Sequence, residues 1–77
     1  MNKQRRKYLA EALTKLEEAM YIVQSATDDE QDAFDNMPEG LQYSERGEQM
    51  EDNISNMEEA QGNIDSAIGI LQEIIDG

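Results

Sequence analysis

YSERGEQMEDNISNMEEAQGNIDSAIGILQEII, residues 43–75, decides the fold. Within it Tyr43, Gly47, Met50, Ile54, Met57, Gln61, Ile64, Ile68, Leu71 and Ile75 alternate four-residue and three-residue steps without a break. A stripe recurring every 3.5 residues stays on one side of an α-helix only if that helix coils around another, so the spacing calls for a helical partner. Upstream, Leu9, Leu13, Leu16, Met20 and Val23 step in the same way and continue through Thr27 and Glu30 to Phe34 and Met37. Thr27 and Glu30 weaken this second seam, and Asp28, Asp29, Glu30 and Asp32 crowd like charges beside it, which predicts bending or fraying there.

Between the seams lies Asn36-Met37-Pro38-Glu39-Gly40-Leu41-Gln42-Tyr43-Ser44, holding the single proline. Proline donates no backbone hydrogen bond and pushes the preceding residue out of helical geometry, so the chain reverses here. Pro38 to Gln42 has room for one short helical turn. Ser44 is placed to cap the second helix, with Glu45 and Glu48 favourable near its positive end. The expected fold is all-α: one domain over residues 1–77, with a helix at about 3–36, a turn at 37–43 and a helix at about 44–76. Folding about Gly40 opposes Leu9 to Leu71, Leu16 to Ile64 and Val23 to Met57, and brings Arg5 and Arg6 toward Glu73 and Asp76.

A second pattern flanks the first seam. Ala12, Ala19, Ala26 and Ala33 recur every seven residues, and Asn53, Ala60, Ala67 and Ile74 hold the equivalent flank of the second helix. Tyr8, Ile22 and Ile70 widen the stripe beyond what one hairpin covers. The surplus predicts self-association, most simply an antiparallel hairpin dimerising into a four-helix or larger bundle. Its oligomer core would comprise Leu9, Leu13, Leu16, Met20, Val23, Met50, Ile54, Met57, Ile64, Ile68, Leu71 and Ile75. Gln61, polar on the central seam, is placed to fix register or oligomer state. Gly62 and Gly69 mark either close approach by another helix or tolerated defects.

Composition removes several functions. Eighteen acidic residues against six basic ones give a net charge of −12, which opposes direct contact with nucleic acid or anionic membranes and favours a basic protein partner. With no Cys and no His, disulfides, thiolate or imidazole metal sites and assisted nucleophilic catalysis are all missing. No apolar run approaches a membrane span, and the basic start from Lys3 to Lys7 is not followed by a signal-type block, which is compatible with a cytoplasmic setting. Asp28, Glu30, Asp32 and Glu39 match four positions of a calcium loop, but Ala33 replaces the required Gly and Pro38 precedes the last carboxylate. The Glu17-Glu18 and Glu58-Glu59 pairs lack the His of a dimetal bundle. The chain reads as a non-enzyme without cofactor or metal.

One cluster could hold a ligand. Tyr43, Ser44 and Arg46 place an aromatic ring, a hydroxyl and a guanidinium where free helix amides point outward, with Gln42 and Glu39 ordering the turn. Amides and Arg suit a phosphate, and Tyr suits a stacked base. The plainer account has Ser44 capping, Tyr43 packing as the first seam residue and Arg46 pairing with Asp32 or Asp35.

Asn36-Met37-Pro38-Glu39, then Leu41-Gln42, then Ser44-Glu45-Arg46, followed by a heptad helix rich in Glu, Asn and Ala, resembles short acidic helical-hairpin proteins of bacteriophages and prophages. The resemblance implies a phage-made protein at work in a bacterial host cytoplasm. It further implies antagonism of host defence, by sequestering a nucleotide immune signal or by occluding a host protein. Three functional expectations follow: a homo-oligomer that sequesters a nucleotide signal through Tyr43, Ser44 and Arg46; an acidic inhibitor presenting Asp28, Asp29, Asp32, Glu51, Glu58 and Glu59 to a basic, nucleic-acid-binding host protein; and a purely structural assembly element.

Overall fold

A computed structural model describes residues 1–77, and they form helices and short connectors with no strand. The helices α1 (Lys3–Asp35), α2 (Glu39–Gln42) and α3 (Glu45–Asp76) follow in order. α1 and α3 pack against each other as a hairpin whose extents are 58 × 14 × 14 Å. α1 alone, at 1.5 Å per residue, accounts for about 50 Å of that length.

Each long helix begins at a side-chain cap. The Asn2 side-chain oxygen accepts from the Arg5 amide at 2.8 Å, and the Ser44 hydroxyl oxygen accepts from the Gly47 amide at 3.3 Å. Asn2 is a cap the sequence reading passed over. α1 stops where Pro38 makes continuation impossible, and Pro38 itself, extended at φ −55° and ψ 141°, leads into the single turn of α2. The turn is stitched from the α2 side. The Gln42 side-chain amide donates to the Phe34 carbonyl at 3.0 Å and to the Met37 carbonyl at 3.3 Å.

Reduced exposure follows the two stripes. Every stripe residue from Leu9 to Met37 and from Gly47 to Ile75 is half-buried or buried, and most of their neighbours are exposed. Yet Ile54 is the only buried hydrophobic residue, and no side chain is fully enclosed. Two helices can each hide one stripe and no more, so the hairpin has a seam but not an enclosed interior.

Two expectations are corrected here. The stretch from Thr27 to Asp32 does not fray: α1 runs through it to Asp35. Thr27 is one of the three buried residues. Its hydroxyl donates to the Val23 carbonyl at 2.7 Å and accepts from the Gln61 side-chain amide at 2.8 Å, so two polar seam residues satisfy each other across the hairpin. Tyr43 does not begin the second seam: it is 77 % exposed. It precedes Ser44, the cap, and a residue outside the helix does not follow the helical period.

The cross-helix bonds set the register. Arg6 donates to the Ile75 carbonyl at 3.4 Å, Asn53 reaches Glu30 at 3.5 Å, and Gln61 meets Thr27. A strict fold about Gly40 places Ala19, not Thr27, opposite Gln61. Both side chains of the Gln61 and Thr27 pair lean toward their own helix N-termini, which accounts for part of the offset.

Candidate functional site

The turn-proximal end of the hairpin gathers most of the chemistry. Gly47, in the first turn of α3, lies against α2: a Cβ built there would stand 2.2 Å from the Gln42 carbonyl oxygen and 2.7 Å from that of Leu41. Only glycine lets α3 start so close beneath the connector. The sequence placed Gly47 on the seam without signalling this, because the approach depends on how α2 folds back.

Of the five candidate ligand residues, the structure brings two into one groove. Ser44 and Arg46 line an open depression of about 380 Å³ together with Ala33, Met37, Leu41 and Met50. Tyr43 does not line it, nor do Gln42 and Glu39. The Gln42 amide is engaged by two carbonyls, and the Ser44 hydroxyl donates to the Leu41 carbonyl while accepting from Gly47. Arg46 makes no hydrogen bond to Asp32 or Asp35; their helix positions leave the guanidinium facing solvent beside the groove. Tyr43, 77 % exposed, and Arg46 therefore do not share the lining of one depression.

The same end is densely acidic. Asp28, Asp29, Glu30, Asp32, Asp35, Glu39, Glu45, Glu48, Glu51 and Asp52 stand against Arg46 as the one cation between residues 28 and 52. The six carboxylates expected to form one acidic face, Asp28, Asp29, Asp32, Glu51, Glu58 and Glu59, are all exposed, but their helical positions distribute them around this half of the rod. Glu51 and Glu58, two turns apart on α3, share one groove. With Gln31 and Ser55 they rim a groove of about 290 Å³ whose apolar floor is Phe34 and Ile54. That arrangement suits a Lys or Arg side chain, whose methylenes would lie on Phe34 and whose charge would meet two carboxylates.

Asp28, Glu30 and Asp32 lie on α1 rather than in a loop, and nowhere do three acidic side chains converge closely enough to hold a metal ion. At the open end, Arg6 is half-buried and its Nε is enclosed without a hydrogen-bond partner. Its recorded contact is the Ile75 carbonyl rather than the carboxylate of Glu73 or Asp76. No helix is long and apolar enough to cross a membrane. No family model, no curated protein and no solved structure matches the chain.

Proposed function

We propose that the protein acts by association rather than catalysis: a self-associating helical hairpin whose acidic, turn-proximal half binds a basic protein surface. The groove between Glu51 and Glu58, floored by Phe34 and Ile54, carries this reading, because it joins an apolar floor to a carboxylate at each end, which suits a basic side chain. The surrounding carboxylates would raise the encounter rate with a basic partner. The likeness to phage hairpin proteins supplies the setting, a basic component of bacterial defence as the target. Heptad coiling of α1 around α3 and assembly into a four-helix bundle belong to the same reading; the scarcity of fully buried side chains in one hairpin supports it.

Calorimetric titration with a short Lys- and Arg-rich peptide tests the acidic groove. Affinity should fall steeply as salt is raised, and Glu51→Lys with Glu58→Lys should remove most of it. Binding indifferent to salt, or unchanged in the double variant, would reject the reading.

The unpaired Arg46 guanidinium beside the 380 Å³ depression favours one further reading, sequestration of a small phosphorylated ligand such as a nucleotide signal. Titration with a panel of cyclic nucleotides tests it. Heat lost in Arg46→Ala would support this reading, and no heat with any member would remove it.

A further inference from the structure

One long side of the hairpin carries four exposed large hydrophobic residues among small and polar ones. Labelling the seam residues of each helix a and d, the alanine column occupies g and Tyr8, Ile22 and Ile70 occupy c. In the hairpin the g columns of α1 and α3 share one side: Ala33 and Arg46 line one depression there, and Glu30, Asn53 and Ala60 another. On this side Tyr8 is 59 % exposed, Ile22 66 %, Ile70 58 % and Ile74 40 %. The opposite side carries Gln31, Glu51 and Glu58 and one exposed large aromatic residue, Tyr21.

The surface area says how much cover is missing. A folded monomer of 8.7 kDa exposes about 4,700 Å² by the usual size scaling. This chain exposes 5788 Å². The excess, about 1,100 Å², belongs to a rod 58 Å long and 14 Å thick, and leaves room for the roughly 800 Å² that each partner contributes to a standard protein interface.

Charge says which way round the cover lies. Lys3, Arg5, Arg6 and Lys7 crowd the first turns of α1 and Asp32 and Asp35 its last turn, so α1 opposes its own helix dipole at both ends. Two hairpins side by side in the same direction would stack the acidic turn ends together. Reversing one of them sets the basic open end of each against the acidic end of the other.

From these observations we infer that a second copy of this chain covers the Tyr8, Ile22 and Ile70 side in the antiparallel direction, with α1 on α1 and α3 on α3 about a twofold axis between Lys15 and Ala19. This rests on the self-association proposed above and adds its face, direction and register. The register follows from the sequence. Placing the axis there opposes Tyr8 to Ala26, Ile22 to Ala12, Lys15 to Ala19 and Arg5 to Asp29, each a c position against a g position. Large meets small twice, and opposite charges meet once, in the same alignment. On α3 the matching register sets Ile70 over Ala60.

Charge reversal with sedimentation equilibrium tests the direction. Arg5→Asp and Asp29→Arg should each weaken the dimer about tenfold, and the double variant should return to within about threefold of the unaltered protein. Arg5 and Asp29 lie about 36 Å apart along one helix, so such a rescue can only act between copies. The chain has no native cysteine, so the variant Ala12→Cys with Ile22→Cys adds an independent readout. Those two positions are about 15 Å apart on α1, beyond the reach of an internal disulfide. Oxidation should close a covalent dimer with two bridges. A dimer in which neither rescue nor bridging occurs would overturn the antiparallel register while leaving self-association in place. A single copy throughout, at up to about 100 μM, would overturn both.

Discussion

Replacing Gly47 by alanine should destabilise the protein although it removes a glycine from a helix. Alanine in place of glycine within a helix normally gains about 1 kcal/mol. At Gly47 the added methyl would meet two backbone carbonyl oxygens at 2.2 and 2.7 Å, and backbone does not rotate aside as a side-chain tip would. α2 would have to withdraw by roughly 1 Å to restore van der Waals contact. That movement strains the two Gln42 amide bonds to Phe34 and Met37 and the Ser44 cap on Gly47. Overpacking of this kind costs about 1–3 kcal/mol, and each weakened hydrogen bond adds about 0.5–1.5 kcal/mol. After subtracting the propensity gain, the net loss is about 2 kcal/mol, or a fall in Tm of about 8–16 °C for a domain of this size. Gly62 and Gly69 are the controls. Nothing lies within 4 Å of a Cβ at either, so Gly62→Ala and Gly69→Ala should each raise Tm by about 4–8 °C. Melting followed by far-ultraviolet circular dichroism at one fixed protein concentration reads all three. A Gly47→Ala protein as stable as Gly62→Ala would show that α2 does not lie where the geometry puts it.

Thr27→Val leaves the Gln61 amide without its hydroxyl partner and should cost about 1–2 kcal/mol in urea unfolding, whereas Thr27→Val with Gln61→Leu should recover most of that loss. Arg6→Leu removes an enclosed, unpaired Nε and continues the apolar stripe, so its Tm should equal or exceed that of the unaltered protein. Asn2→Ala and Ser44→Ala each delete a cap and should each lose about 1 kcal/mol of stability by the same urea measurement.

The hairpin was legible because its information is periodic. Four-and-three spacing marks a helix stripe wherever it occurs, and a lone proline between two such stripes leaves the chain little choice but to reverse. What resisted reading was anything that depends on two elements at once. Thr27 alone reads as a weak point of its seam and Gln61 alone as a register-fixing polar residue; only their juxtaposition makes them one satisfied pair. Gly47 looked like any small seam residue until α2 was laid across it. The candidate ligand cluster is a similar case, since adjacency along Tyr43, Ser44 and Arg46 does not tell that only Ser44 and Arg46 line a common groove. Asn2 is different: an Asn just before a helix is a recognisable start signal, and attention to the basic run beside it obscured it.

The two proposals bear on each other through stability. With a single buried hydrophobic residue, one hairpin has little reserve, and whatever binds the folded form adds to its stability by mass action. A second copy on the Tyr8 and Ile22 side would bury the exposed apolar area and, by reversing direction, draw down the repulsion among the carboxylates near the turn. The groove between Glu51 and Glu58 lies on the other flank and would stay open. A dimer of this form therefore presents two acidic grooves at opposite ends of a rod, so a basic partner with two suitably spaced sites would gain from the local concentration of the second groove. Tm should then rise with protein concentration and rise again when a basic peptide is added, the two increments being nearly additive because the surfaces do not overlap. If the peptide instead lowers the concentration dependence, it competes for the same side as the second copy, and the division of the hairpin into an associating flank and a binding flank is wrong.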